Sequence, residues 1–125
     1  MREDENGDPS GRIEIVEPGP GAVVVELPGE QDLAIAGELE ILLESLLSSN
    51  RLVVVDLTRS TFIDSSIVRA LVRADRLAKA YSTTFRLQFG TAPIVRRALE
   101  LTGLLDRLET ASTREEALRE DDRSS

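Results

Sequence analysis

The sequence predicts an α/β fold in which one mixed β-sheet of four to five strands is covered by about four helices. Short runs rich in Val and Leu alternate with longer segments whose apolar residues recur every three or four positions, as in strands alternating with amphipathic helices. The 125 residues match the length of one domain, and a hydrophobic content of 41% is enough for a packed core. We therefore expect one domain over residues 12–120, with disordered polar tails at residues 1–11 and 121–125.

The N-terminal part of the domain is predicted to be a β-hairpin. Arg12–Glu17 alternates apolar and polar side chains, and Ala22–Leu27 is a second apolar run. The Pro18–Gly21 segment between them is a turn sequence, and the Pro28-Gly29 pair ends the second strand. A turn this short favours antiparallel pairing of the two strands.

Two amphipathic helices flank the most apolar run of the chain. Asp32 is a suitable N-cap for a helix that reaches about Ser49, and a second helix is predicted over Ser65–Tyr81. Between them, Leu52–Leu57 is typical of a central strand that is parallel to a neighbour, and Thr58–Asp64 is expected to be a connector. The buried stripe of the second helix is predicted to contain Ile67, Ala70, Leu71, Ala74, Ala78 and Tyr81.

The C-terminal third of the chain continues the alternation. Thr84–Phe89 is predicted to be a strand, and Thr91 is expected to cap the helix that follows it. Leu108–Ala111 is predicted to be a short last strand, and Thr113 and Glu116 have capping-box spacing for a final helix. The predicted order is β-β-α-β-α-β-α-β-α, with right-handed parallel crossovers.

The composition excludes several classes of function. The chain has no His and no Cys, so catalytic triads, zinc clusters and disulfides cannot form, and we expect no metal or cofactor. Three Phe, one Tyr and no Trp are too few for base stacking, and a net charge of −8 disfavours binding to nucleic acid. No apolar run approaches the roughly 18 residues of a membrane span, and the acidic N-terminus is not a secretory signal. We therefore expect a cytoplasmic protein without direct membrane insertion.

Charge is distributed unevenly along the chain. Residues 13–50 carry eight acidic and no basic residues, whereas residues 51–112 carry six acidic and ten basic residues. This asymmetry predicts two electrostatically different faces, which suits docking to a protein partner. Arg69, Arg73 and Arg76 share one side of the predicted second helix and are a candidate contact with an acidic partner surface. A solvated helix face is the alternative interpretation.

The Thr61–Ser66 segment carries the clearest chemical signal. It joins a buried strand to an amphipathic helix, so Asp64 or Ser65 would occupy the N-cap and Ser66 the first turn. Free N–H groups and the helix dipole favour an anion at such a position. A phosphate on Ser65 would be tolerated there, and Arg69, one turn further on, would pair with it. The alternative is that an Asp-Ser-Ser sequence only caps the helix.

Three segments, taken together, resemble the STAS domain family and in particular the bacterial anti-sigma factor antagonists. Leu27-Pro-Gly-Glu-Gln-Asp32 resembles the turn before the first helix of the family. Val53–Leu57, followed by Phe62-Ile-Asp-Ser-Ser66, is similar to its central strand and its Asp-Ser-Ser/Thr-Gly phosphorylation motif. Pro93–Leu105 is similar to its third helix. The resemblance covers about residues 12–120 and implies a single STAS domain.

The resemblance implies a regulatory binding protein and not an enzyme. An unphosphorylated antagonist of this family binds an anti-sigma factor, usually a GHKL-type serine kinase, and thereby regulates transcription in responses such as stress. Phosphorylation ends the binding, and a PP2C-type phosphatase reverses it. Carried onto this sequence, Ser65 is the phosphoacceptor, Asp64 orients it and Ser66 is the adjacent hydroxyl. The implied partner-binding residues are Gly29, Glu30, Asp32, Ile67 and Arg69.

Two positions depart from the family pattern. The family usually has Gly after the two hydroxyl residues and often another small residue two positions further on, where this sequence has Ile67 and Arg69. This departure leaves open a non-switching scaffold or accessory STAS subunit, in a stressosome-like assembly or a lipid-transport complex. A small enzyme that uses Asp56 and Asp64 as acid and base is a third hypothesis, for which the sequence offers no substrate or cofactor motif.

Overall fold

The computed structural model describes residues 11–119, so the predicted tails, apart from Gly11, lie outside the described residues. Within this range the chain forms seven strands and five helices, and the predicted α/β fold is confirmed with two strands and one helix more than expected. In chain order the elements are β1 (Glu14–Gly19), β2 (Ala22–Glu26), β3 (Gly29–Gln31), α1 (Leu33–Ser49), β4 (Leu52–Asp56), β5 (Ser60–Ile63), α2 (Ser65–Tyr81), β6 (Thr84–Gln88), α3 (Pro93–Leu101), α4 (Leu104–Arg107), β7 (Glu109–Ala111) and α5 (Arg114–Ala117).

The main sheet has the strand order β1-β2-β4-β6-β7. β1 pairs antiparallel with β2, which confirms the predicted hairpin, and the remaining neighbours pair in parallel. β4 has all five residues buried between two parallel neighbours, as its Val-rich sequence predicted. Because β2, β4 and β6 are parallel, their carboxyl ends lie side by side at the same end of the sheet.

A second, two-stranded sheet pairs β3 with β5 in parallel. The expectation that Thr58–Asp64 is only a connector is wrong, because its last part is a strand. Gly and Glu are depleted in strands, so β3 depends on its pairing with β5, whose Thr61, Phe62 and Ile63 are strand-forming residues. The pairing aligns Gln31 with Ile63, and it therefore places the starts of α1 and α2 next to each other.

The larger part of the core lies between α1, α2 and one face of the main sheet. Leu39, Leu43 and Leu47 of α1 and Leu71 of α2 are buried there against the Val-rich strands. Full burial of each of these side chains contributes about 1.5–3 kcal/mol. The buried stripe of α2 ends at Ala78, so the prediction that it includes Tyr81, which is 43% exposed, is wrong.

Of the two helix caps predicted in the C-terminal third of the chain, one is confirmed and one is wrong. The Thr113 hydroxyl accepts a hydrogen bond from the Glu116 N–H at 3.1 Å, which confirms the predicted cap of α5. The N-cap of α3 is Ala92, without a side-chain hydrogen bond, so the prediction that Thr91 caps this helix is wrong. Pro93 is the first residue of α3 and fixes its start, because proline has no N–H that would need a partner there. None of the helices between residues 11 and 119 has the length and apolar content needed to cross a bilayer.

α5 covers the second face of the main sheet and is attached to it by an ionic cluster. Ala117 packs on the apolar residues of this face, and the Arg114 guanidinium contacts the carboxyl ends of three strands. Its Nη2 lies 2.6 Å from Glu26 Oε2 and 2.7 Å from Asp56 Oδ2, and its Nε donates to Gln88 Oε1 at 3.0 Å. Burial would lower the pKa of Arg114, but its hydrogen bonds to both carboxylates raise it. We call these four residues the Arg114 cluster.

Removal of the guanidinium is expected to leave two adjacent carboxylates without their cation. Arg114→Gln should lower the free energy of unfolding by about 2–3 kcal/mol, because the Glu26 and Asp56 side chains are only 18% and 6% exposed. Arg59→Gln is the matched control, since Arg59 also pairs with Glu26 but is 54% exposed, and it should cost less than about 1 kcal/mol. Urea denaturation of both variants measures the difference. Equal losses in the two variants would contradict the role of the Arg114 cluster.

Candidate functional site

The starts of α1 and α2 converge at the ends of the β3–β5 pair. Each short strand is followed directly by an aspartate that caps a helix, Asp32 after β3 and Asp64 after β5. The backbone N–H of Asp64 donates to the Gln31 carbonyl at 3.2 Å, which links the two helix starts. Two helix N-termini, each with the positive end of a dipole and each capped by its own aspartate, therefore meet in one small region.

Asp64 is the centre of the hydrogen bonding in this region. Its Oδ1 accepts from the backbone N–H of Ser66 at 2.9 Å and of Ile67 at 3.2 Å, and also from the Ser66 hydroxyl. Partial burial would raise the pKa of the Asp64 carboxyl. The hydrogen bonds from Ser66 and Ile67, together with one from the N–H of Leu33 in α1, outweigh this effect and hold the pKa below its usual value. Asp64 is therefore a charged cap that also connects the two helices.

The two adjacent hydroxyls of the predicted motif have different environments. Ser66 is buried, 6% exposed, and its hydroxyl donates to the Asp64 carboxylate. Ser65 is the first residue of α2 and is exposed, and its side chain has no hydrogen-bond partner between residues 11 and 119. Of the pair, Ser65 alone presents a hydroxyl that another protein can reach. It does so at a helix N-terminus, where added negative charge is favoured.

The predicted partner-binding residues fall into two groups. Glu30, Asp32 and Arg69 are exposed around Ser65, and Gly29 is half-buried beside them in a left-handed conformation, with φ of 86°. Ile67 is fully buried in the main core. The expectation that Ile67 contacts a partner is therefore wrong, because its position in the first turn of α2 directs the side chain towards the sheet.

Two exposed apolar side chains near Ser65 were not predicted from the sequence. Leu33, the first residue of α1, is 71% exposed, and its N–H contacts Asp64. Phe62 in β5, two residues before Asp64, is 41% exposed. The exposure of Leu33 could have been predicted from its position outside the buried stripe of α1. The exposure of Phe62 could have been predicted only if β5 had been recognised as a strand. We call Leu33, Phe62, Asp64, Ser65 and Ser66 the Ser65 site.

The Ser65 site offers one hydroxyl, that of Ser65, to which an anionic group could be attached. Within residues 11–119 no cluster of three or more metal-ligating side chains is present. The Asp64 carboxylate is occupied by hydrogen bonds from Ser66 and Ile67. Asp56, which lies in the Arg114 cluster, is bound by a guanidinium. The free hydroxyl of Ser65 is the reactive group that this arrangement leaves open to solvent.

Comparisons with known proteins agree with this geometry. Residues 16–111 match the family model described as Mlab, STAS domain. An anti-sigma factor antagonist from Mycobacterium paratuberculosis is similar, with 26% identity and a TM-score of 0.77 over 89% of this chain and 93% of that one. No curated protein sequence matches the chain.

Two solved structures of SpoIIAA share the fold. The anti-sigma factor antagonist SpoIIAA in its unphosphorylated form is 23% identical, with a TM-score of 0.75 over 90% of this chain and 96% of that one. The Bacillus cell fate determinant SpoIIAA in its phosphorylated form is 22% identical, with a TM-score of 0.68 over 91% of this chain and 100% of that one. These likenesses support the arrangement of strands and helices around the Ser65 site.

The Asp64 cap is expected to stabilise the fold in a pH-dependent manner. Asp64→Ala should lower the free energy of unfolding by about 1–2 kcal/mol at neutral pH. A lowered folded-state pKa contributes stability that is fully present above the unfolded value of 3.8 and is lost as the pH falls through the folded value. The defect should therefore shrink in acid, and urea denaturation at neutral and acidic pH measures it.

Two matched variants make the test of the cap specific. Asp64→Asn keeps an oxygen acceptor and should cost less than Asp64→Ala. Asp32→Ala removes a cap that is exposed and accepts from Ala34 N–H at 3.0 Å, so it should also cost less. A defect of Asp64→Ala that grows in acid would show that the carboxylate is not the stabilising form.

Proposed function

Because the chain belongs to the STAS domain family, we propose that it is an anti-sigma factor antagonist that is switched off by phosphorylation of Ser65. The observation that carries the proposal is the division between the two motif hydroxyls, one exposed and the other buried on Asp64. The proposed partner is an anti-sigma factor of the GHKL serine-kinase type, and a PP2C-type phosphatase would restore the unphosphorylated form. The protein would thus act in the cytoplasm by partner switching, as a regulator of transcription in a stress response.

The position of Ser65 supports a switch that does not unfold the protein. A phosphate adds about −1.5 to −2 charges at neutral pH, and the positive end of the α2 dipole favours this charge, although the N–H groups of Ser66 and Ile67 already bind Asp64. The folded protein therefore tolerates the modification. In a complex the same phosphate would be desolvated and brought against the partner, and a loss of about 4 kcal/mol weakens binding roughly a thousandfold.

Leu33 and Phe62 support a protein as the ligand of this site. Both are large apolar side chains that remain exposed, at 71% for Leu33 at the start of α1 and 41% for Phe62, three residues before Ser65. Apolar and aromatic side chains of this kind supply much of the binding energy when a partner buries them. A partner that covers both residues would also exclude water from Ser65, which increases the cost of a phosphate there.

The available carboxylates favour a binding protein over an enzyme. Asp56 and Asp64 were the candidates for acid and base chemistry, and they lie in different places, each already bound by other groups. Neither is free to exchange a proton with a substrate. The protein is therefore proposed to be the substrate of a kinase and not itself a catalyst.

A second candidate function is an accessory STAS subunit that does not switch. The matching family model is described as Mlab, STAS domain, a description that does not specify binding to an anti-sigma factor. The accessory subunit would belong to a larger complex such as a lipid-transport or stressosome-like assembly. The two functions differ in their dependence on Ser65. A stable complex that forms equally with Ser65→Ala and Ser65→Glu, measured by size-exclusion chromatography with light scattering, would favour the accessory subunit.

The switch predicts opposite behaviour of two substitutions at one position. Ser65→Glu should weaken binding to the anti-sigma factor by about two to three orders of magnitude, and Ser65→Ala should bind like the unmodified protein even with ATP present. Ser45→Glu is the matched control, since it adds the same charge to an exposed position on α1. Isothermal titration calorimetry measures all three. Equal affinity of the alanine and glutamate variants would disprove the switch.

The kinase reaction gives an independent test of the acceptor. Incubation with the anti-sigma factor and ATP should add a single phosphoryl group to the protein, located by intact mass and peptide mapping at Ser65. Ser65→Ala should abolish the addition, and Ser66→Ala should permit it because Ser66 is buried. Phosphate found on Ser66 in the unchanged protein would contradict the assignment.

A further inference from the structure

The solvent face of α2 is basic along its whole length. Ser65 begins this face, and the exposed side chains that follow at helical spacing are Arg69, Arg73, Arg76 and Lys79. The single acidic residue of the helix, Asp75, is buried and lies 2.9 Å from Lys79. We call these four cations the basic face of α2.

The charges of this face are only partly compensated within the protein. Arg73 lies 3.3 Å from Glu44 of α1, where both side chains are 45% exposed, and Lys79 is bound to Asp75. Arg69 and Arg76 form no ion pair with any residue between 11 and 119. Arg69 and Arg73, as well as Arg73 and Arg76, are neighbours on the helix surface, and like charges at these spacings destabilise a helix. The fold therefore carries a local cost that a ligand of opposite charge would relieve.

The basic face is continuous with the Ser65 site. Arg69 follows Ser65 by four residues, so the two lie one above the other on the exposed side of α2. A partner that covers Ser65 lies next to Arg69, and it reaches Arg76 if it extends about three turns, roughly 16 Å, along α2. Arg69 and Arg76 would then face the partner's own side chains instead of solvent.

We propose that the basic face of α2 binds an acidic segment of the protein partner, with Arg69 and Arg76 as its main contacts. This inference rests on the proposed function, because it assigns the chemistry of the partner at the same site. The charge of the whole chain favours a short acidic protein segment over a nucleic acid or an anionic membrane. The chain has a net charge of −8 and a pI of about 4.6, so an extended nucleic acid or an anionic membrane would be repelled by the surfaces around the face. A short acidic segment would contact only the basic face and would not meet the acidic surfaces around it.

The same arrangement explains the direction of the switch. Carboxylates of the bound segment would lie next to the Ser65 hydroxyl, where a phosphate would repel them. The phosphate would also pair with Arg69 one turn away and so remove that cation from the partner. A single modification thus adds a repulsion and removes an attraction.

The charge chemistry can be tested without the anti-sigma factor. The probe is a peptide of about eight glutamates, which in extended form spans α2, added to the full chain at low salt and followed by heteronuclear NMR. The backbone signals of residues 65–79 should shift selectively, and Arg69→Glu/Arg76→Glu should weaken binding by about tenfold or more. Arg97→Glu/Arg107→Glu changes the net charge equally at exposed positions of α3 and α4 and should leave the affinity within about threefold. Ser65→Glu should weaken binding by about threefold or more.

Several outcomes would overturn the inference. Equal weakening by both double variants would show that net charge, and not this face, determines binding. Absence of selective shifts would show that the face does not bind acidic chains. Tighter binding of a thymidine oligonucleotide or of phosphatidylglycerol vesicles through Arg69 and Arg76 would assign the face to a nucleic acid or a membrane.

The anti-sigma factor separates this inference from the proposed function. Wild-type affinity of Arg69→Glu/Arg76→Glu for that protein, together with loss of affinity in Ser65→Glu, would remove the inference and leave the switch. Loss of affinity in the double variant with no effect of Ser65→Glu would support the inference and remove the switch.

Discussion

Asp64 holds the first turn of α2 through its carboxylate and is bound to the end of β3, just before α1, through its N–H, and the geometry of the Ser65 site depends on both contacts. N–H groups at a helix start have no partner within the helix, so the carboxylate satisfies two groups of α2 that would otherwise lack an acceptor. The buried hydroxyl of Ser66 takes part in the same network. The neighbouring hydroxyl of Ser65 points outward into solvent, and a change in its charge can alter binding while the fold stays intact.

Ser65 also lies at a boundary between two surfaces of different charge. Glu30 and Asp32 are exposed on the side of α1, whereas Arg69 and the rest of the basic face follow along α2. This division follows the sequence, because Glu30 and Asp32 belong to the acidic residues 13–50 and α2 lies within the basic residues 51–112. A charge placed at the boundary would therefore act on both surfaces.

Periodicity predicted the elements whose stability comes from a continuous apolar face. The strands β2, β4 and β6 and the helices α1 and α2 begin and end within about a residue of their predicted limits. β3 was missed because its Gly, Glu and Gln residues carry no strand signal and its stability comes from pairing with a distant segment. β5 was missed, and Phe62 with it, because a run of four residues was assigned to a connector although Thr61, Phe62 and Ile63 are strand-forming. The family motif indicated Ser65 as the phosphoacceptor, and this stays a prediction. It also placed Ile67 among the partner-binding residues, whereas the periodicity of α2 assigned Ile67 to the buried stripe, where the structure has it. A motif specifies residue order and not the direction of a side chain.

The Arg114 cluster has a consequence for the kinetics of folding. The Arg114 guanidinium binds Glu26, which is 88 positions away in the sequence, and Asp56, which is 58 positions away. These contacts therefore form only after most of the chain has been brought together. Contacts of such long range are expected late on the folding path, after the local helices and the hairpin. A late contact slows unfolding more than it accelerates folding. The short terminal helix therefore acts chiefly on the lifetime of the folded molecule.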